Sequence, residues 1–335
     1  MRRKLTAAGL VAAPFLLIFI SLFIGRYPLT VGEVTGVLGA KAGIPSPSPL
    51  PIHVNVVWDI RLPRAILGAL VGGSLAVSGA AFQGLFRNPL VSSGILGVSA
   101  GAGFGASLAI ILFGSDTFYV YAFAFCFGAL AVVLSYIIGT HYTSTPTIML
   151  VLGGVVVSSI FSSLVSLLKY IADPYEQLPS IVFWLMGSMA SARFRDIAIS
   201  AVPMGVGMAG LVAMRWRINI LSMDDKEARA LGVNIAFVKG LAILFATLAT
   251  AGAVCVSGVI GWVGLVVPHI GRMLVGNDNT VLVPVSLSIG AGYLVIVDNV
   301  ARTLTGSEIP LGILTSIIGA PFFVYLLKKT KGRGW

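Results

Sequence analysis

Charge is scarce in this chain. Asp, Glu, Lys and Arg make up 10% of its 335 residues, and hydrophobic residues make up 57%. A soluble domain carries about a quarter charged residues. The shortage excludes a soluble globular enzyme and a disordered chain alike. Cysteine is limited to Cys126 and Cys255. Both sit in apolar runs with no Cys or His at metal-ligand spacing, so both read as small core hydrophobes. Neither a disulfide framework nor a redox compartment follows. Histidine is limited to His53, His141 and His269. These cannot form the facing pairs that a membrane haem requires, and they read as polar residues at span ends.

The machinery for bond chemistry is also missing. No G-x-x-x-x-G-K-[ST] occurs, so the chain has no P-loop ATPase of its own. Gly205-Val206-Gly207-Met208-Ala209-Gly210 spells G-x-G-x-x-G, but it lies in an apolar run with no strand before it. It reads as close helix packing, as does Gly101-Ala102-Gly103-Phe104-Gly105. Ionisable residues are nearly absent from the span centres: Asp298 and Lys169 fall near span ends, and Glu308 in a turn. Ion-coupled carriers and pumps place carboxylates or histidines at mid-membrane. This chain offers no such relay, so energy for moving a solute has to come from elsewhere.

What is abundant is span-length apolar sequence, together with 40 glycines of the kind that close packing in lipid uses. The expected fold is an all-α polytopic membrane protein of about ten helices, a single domain over 1–335. The expected spans are 5–24, 63–82, 92–113, 118–139, 147–171, 197–214, 233–255, 259–268 with its flanks, 281–298 and 311–327. The eighth is glycine-rich and is expected to be short, with Pro268 ending it. The basic start Met1-Arg2-Arg3-Lys4 opens a span that is retained rather than cleaved. With the N-terminus inside, fourteen basic and four acidic residues fall on the inner face, against eight and eight on the outer. The whole net charge of +10 then lies inside, which places both termini in the cytoplasm. The charge is a topology signal, and nucleic acid need not be invoked.

Two loops are long. Residues 26–60 form an outer segment with a Pro-rich stretch, Ile44 to Pro51, and the segment is expected to be extended and partly mobile. Residues 215–232 form the long inner loop. Ser222-Met223-Asp224-Asp225 fits an S-x-x-D capping box. Asp224, Asp225 and Glu227 suit a first helical turn. Ala228 to Leu231 continue the helix, and Gly232 stops it. Two readings stay open for this short capped helix: a surface linker, or a lever that a cytoplasmic motor pushes. On the outer face Arg61, Arg64 and Arg302 are expected to point into water, as headgroup anchors or as partners for carboxylates on an external protein.

Together the residues resemble the FecCD-type permeases of binding-protein-dependent ABC importers, which serve iron–siderophore complexes, haem and vitamin B12. The resemblance covers nearly the whole chain. It is carried by Arg61-Leu62-Pro63-Arg64, by Gly79 to Leu90, by Gly94 to Val98 and by Phe183 to Ser188. It continues in Ala230-Leu231-Gly232-Val233, in Gly261 to Arg272 and in Gly319-Ala320-Pro321. The resemblance implies a homodimer, or a pair of related permeases, with the pathway along the subunit interface. It implies two cytoplasmic ATPase subunits that hold the ATP and Mg, leaving no cofactor in this chain. They would receive Asp224, Asp225, Glu227, Ala228, Arg229, Ala230, Leu231 and Gly232, with His269 and Arg272 nearby. An extracytoplasmic solute-binding protein would dock on Arg61, Arg64 and Arg302. The implied location is a prokaryotic plasma (inner) membrane, in contact with lipid. The implied cargo is a bulky metal chelate, a ferric siderophore or haem, with cobalamin or molybdate and tungstate as alternatives. A self-sufficient carrier is the rival from another class, and it would transport without any ATPase.

Overall fold

The computed structural model describes residues 2–44, 49–140, 147–223 and 225–329, and among these it contains helices and no strand. In chain order the helices are α1 (Arg2–Ser21), α2 (Val31–Lys41), α3 (Pro51–Val54), a π-helical segment (Asn55–Arg61) and α4 (Leu62–Phe86). There follow α5 (Val98–Phe113), α6 (Thr117–Thr140), α7 (Thr147–Ile171), α8 (Gln177–Met186) and α9 (Phe194–Ala213). The last are α10 (Arg215–Leu221), α11 (Asp225–Ala230), α12 (Ile235–Ser257), α13 (Val263–Val275), α14 (Asn279–Thr303) and α15 (Leu311–Lys329).

Among the described residues, six stretches are long and apolar enough to cross a membrane: Pro51–Phe86, Thr117–Thr140, Thr147–Ile171, Phe194–Ala213, Ile235–Ser257 and Asn279–Thr303. The other four expected spans correspond to α1, α5, α13 and α15, whose apolar parts are shorter. An eleventh apolar helix, α8, was not among the expected spans. An Asx turn opens it, with Asp173 Oδ1 accepting from the backbone N–H groups of Tyr175 and Glu176 at 2.9 Å each. Gly187, at φ 74°, closes it. Its ten residues rise about 15 Å, half of a hydrocarbon core.

Three expectations need correction. The outer segment is largely helical rather than extended, although Pro45–Ser48 lies outside the described residues. Thr30 and Glu33 form a capping box that starts α2, and Leu22, Val34, Val37 and Val57 make a small buried cluster beneath it. The second span begins well before 63, because Pro51 opens a continuous helix running to Phe86; proline suits a first helical turn. Pro268 does not end the eighth span but lies inside α13. A proline leaves the carbonyl four residues earlier without its helical donor. Here that carbonyl, on Gly264, accepts instead from Gln83 Nε2 at 3.4 Å.

α4 lies at the centre, with 83% of its apolar window buried. It can be surrounded because glycines let backbones touch. A Cβ on Gly72 would collide with the carbonyl of Gly290 on α14, and one on Gly79 with the carbonyl of Gly264 on α13. The small-residue reading of the G-x-G-x-x-G run is also met in part: Gly207 and Gly210 pack on Ala249 and Phe245 of α12, while Gly205 faces open space. α5, α6 and α7 form a second bundle around Phe104, Phe127 and Phe161. Cys255 is buried as expected, but Cys126 is exposed on α6.

Candidate functional site

Each end of the bundle carries a polar construction. One end gathers Arg26, Arg61, Arg64 and Arg302. Arg64, on the first turn of α4, donates from Nε to both oxygens of Asp298 at 2.9 Å and from Nη1 to Glu308 at 2.8 Å. Arg302, one turn after Asp298 on α14, donates from Nη2 to the carbonyl and hydroxyl of Ser21 at 2.8 Å. It also bonds Asn299. Arg61 donates to the carbonyls of Leu22 at 2.7 Å and Tyr27 at 2.5 Å. Arg26 lies across the end of α14, donating to the carbonyls of Arg302, Thr305 and Gly306. A cation there is favoured, because the last carbonyls of a helix lack internal partners.

The expectation that Arg61, Arg64 and Arg302 point into water is therefore wrong. They are 3%, 4% and 7% exposed. The reason is tertiary. Asp298, Asn299 and the carbonyls at the end of α1 supply acceptors that only the tertiary fold brings within reach. A buried ion needs hydrogen bonds or a counter-ion: all three arginines are hydrogen-bonded, and Arg64 is also ion-paired with Asp298 and Glu308. What they do here is join the ends of α1, α4 and α14 to the α14–α15 loop.

The opposite end carries α10 and α11. Arg87, which caps α4 in a left-handed conformation at φ 51°, donates from Nε to the Leu221 carbonyl at 3.0 Å. Asn219 Oδ1 accepts the backbone N–H of Asn279, the first residue of α14, at 3.0 Å. α10 is thus tied to α4 and α14 together. The capped helix expected at 224–232 is present as α11. It ends in a Schellman-type turn, with the N–H of Val233 donating to the Ala228 carbonyl at 3.3 Å and Gly232 at φ 74°. Just before it, Ser222 makes a contact of its own. Its hydroxyl donates back to the Asn219 carbonyl at 2.6 Å, at the end of α10.

The coupling residues separate into two groups. Asp224 lies outside the described residues, and Asp225 and Arg229 are placed on α11 by their backbone. Glu227, Ala230, Leu231 and Gly232 are exposed, Leu231 by 59%, and Met223 and Trp216 stand exposed nearby. Ala228 is buried against the core. α11 therefore presents one face outward and anchors the other. His269 and Arg272 do not join this surface. His269 is 4% exposed, and Arg272 Nη1 donates inward to Gln83 Oε1 at 2.6 Å.

Gln83 was not singled out in the sequence. It is 2% exposed, and its amide links α4 to the Val91 and Gly264 carbonyls while its oxygen holds Arg272. One signal was available: a single amide inside an apolar, glycine-rich run. Asn299 and Ser21 gave none, since each gains its role from a partner far away in sequence.

Comparison with known proteins places these features in context. Residues 13–329 match the model of the FecCD transport family. The chain is 44% identical to the molybdate import system permease protein MolB of Haemophilus influenzae, over 94% of this chain and 93% of that one. It is 40% identical to an iron chelatin transport system permease of Helicobacter pylori, over 83% of each. It is 36% identical to the hemin transport system permease protein HmuU of Yersinia pestis, over 82% of this chain and 84% of that one. A solved inward-facing ABC transporter of metal-chelate type superposes with a TM-score of 0.85 at 42% identity, covering 96% of this chain and 98% of its own.

Proposed function

The chain belongs to the FecCD transport family, and from that membership we propose how its two ends divide the work of an ABC importer permease in the plasma membrane. The end bearing α10 and α11 faces the cytoplasm, with both chain termini, and receives two ATPase subunits. The end bearing the arginine cluster faces outward and receives a solute-binding protein. Arg61, Arg64 and Arg302 serve docking by fixing the shape of that end from beneath. The chain acts as a homodimer, with the solute passing along the subunit seam. ATP and Mg stay on the partner subunits, and this chain performs no bond chemistry.

One observation carries the reading. Glu227 on α11 and the flanking Met223 and Leu231 are exposed, while Arg87–Leu221 and Asn219–Asn279 tie α10 to α4 and α14. A push on the exposed face is delivered to two central helices at once. A loosely tethered linker helix would lack those bonds.

We infer that the cargo is a metal-bearing solute selected mainly by the binding protein. A ferric chelate or haem is the first reading. Molybdate is the second, favoured by the identity with a molybdate permease over nearly the full length. The test is uptake into proteoliposomes holding the permease, its ATPase and its binding protein, with ferric chelate, haem, cobalamin and molybdate as competing solutes. Uptake should require ATP and all three components. Uphill transport by this chain alone would refute the reading.

A further inference from the structure

An apolar groove runs between α6, α9 and α12 and encloses about 490 Å³. Phe125, Pro203 and Leu248 line it, and Cys126, Val202 and Val206 are exposed along it. That volume is within the usual range for small-molecule sites. Its chemistry is unsuited to a polar solute. The Ser200 hydroxyl in its wall is already committed to the Asp196 carbonyl at 2.7 Å. Its three helices include stretches long and apolar enough to cross a membrane, and Val202 is 67% exposed. What such a groove meets is hydrocarbon.

Toward the arginine end the groove adjoins a polar chamber of about 180 Å³; Phe118, Tyr121 and Ile199 line both. Arg193 and Arg195 line that chamber. Both are exposed, and among the described residues neither has a carboxylate within ion-pair distance. Asp196 also lines it, but is 5% exposed and accepts the backbone N–H of Arg193 at 2.8 Å. Two guanidinium groups against one engaged carboxylate leave the mouth net positive. The Trp58–Phe194 ring contact at 5.7 Å sets this mouth beside the π-helical segment. It therefore lies at headgroup level in the reading above, where aromatic residues collect.

We propose that groove and mouth together bind one anionic phospholipid, with an acyl chain along α9 and the phosphate over Arg193 and Arg195. A test of this binding involves no transport, so it can fail or succeed independently of the permease mechanism.

The full-length chain in mild detergent is offered dioleoyl phosphatidylglycerol or dioleoyl phosphatidylcholine, and retained lipid is counted by native mass spectrometry. Two basic residues near an anionic headgroup predict about thirtyfold preferential retention of phosphatidylglycerol, one molecule per subunit. The double variant R193Q/R195Q should lower its retention to the phosphatidylcholine level. Val206→Trp, which fills the groove, should lower retention of both. Glycerol 3-phosphate should fail to displace the lipid. A second measurement needs no variant: phosphatidylglycerol should slow maleimide labelling of Cys126 more than phosphatidylcholine does. Equal retention of the two lipids overturns the proposal, as does unchanged labelling of Cys126. Displacement by glycerol 3-phosphate also overturns it, in favour of a plain phosphate site.

Discussion

Replacing Gln83 by Leu tests whether one buried amide joins α4 to α13. The variant removes three contacts and leaves three groups behind. Arg272 loses an acceptor at 2.6 Å, and a hydrogen bond to a charged group contributes about 1.5–3 kcal/mol. Arg272 is only half-buried, which favours the lower figure because water can partly replace the partner. The Val91 and Gly264 carbonyls lose a shared donor at 3.0 and 3.4 Å; at those lengths the pair contributes about 1 kcal/mol. The expected loss is about 2–4 kcal/mol. Unfolding in detergent, followed by the fluorescence of the five tryptophans, measures it. Gln83→Glu keeps an acceptor for Arg272 and should cost less than Gln83→Leu. Pro268→Ala adds a control, because alanine restores the helical N–H that Gly264 lacks. In that background the Gln83→Leu penalty should shrink by about 0.5–1 kcal/mol. A Gln83→Leu variant as stable as the parent would refute the linkage. An identical penalty in both backgrounds would refute the account of the Gly264 carbonyl.

Gly79→Val should abolish recovery of folded chain in detergent, since its Cβ meets the Gly264 carbonyl, whereas Gly205→Ala, facing open space, should purify like the parent. Arg64→Met leaves Asp298 buried and uncompensated and should destabilise by about 3–5 kcal/mol; adding Asp298→Asn should recover part of that in the same unfolding assay. Gly232→Val forces a branched residue into a left-handed conformation at a cost of about 1–2 kcal/mol. ATP hydrolysis should continue in that variant while uptake falls, and normal uptake would count against the coupling role. The backbone and hydroxyl of Thr30 hold the Glu33 carboxyl below its ordinary 4.5. A depressed carboxylate stabilises above its unfolded pKa and loses that contribution as pH falls through the folded value, so the α2 cap should weaken only below about pH 4.5. Thr30→Ala should raise the Glu33 titration toward 4.5 in a carbon-13 carboxyl NMR experiment, and an unmoved titration would contradict the cap.

Much of the fold was legible because lipid constrains sequence strongly. A helix in hydrocarbon must be apolar along its length, so α6, α7, α12 and α14 stand out as runs. The failures have a common origin. α8 is too short to register as a span, yet its Asx turn and Gly187 mark both ends. The expected end of α13 at Pro268 follows from the carbonyl that a proline strands four residues earlier, and the donor that reaches this one, Gln83, lies far away in the chain. Residues 26–60 read as extended because their small core, from Leu22 to Val57, exists only once α1 and α2 lie against the π-helical segment.

The site was legible in part. Asp225 to Gly232 spell a short helix with its own stop signal, and that is a local property. The arginines were found but their surroundings were not. Whether Arg64 meets water or Asp298 depends on a residue from the far end of the chain. The sequence alone determined that this chain lives in lipid, is built of helices, and shares the blocks of its family, because hydropathy, charge placement and motif order are linear properties. Only the tertiary structure decided that the arginine cluster is buried, that His269 and Arg272 turn inward, and that α10 is joined to α4 and α14. Those outcomes rest on hydrogen bonds between groups that chain order keeps apart and packing brings together.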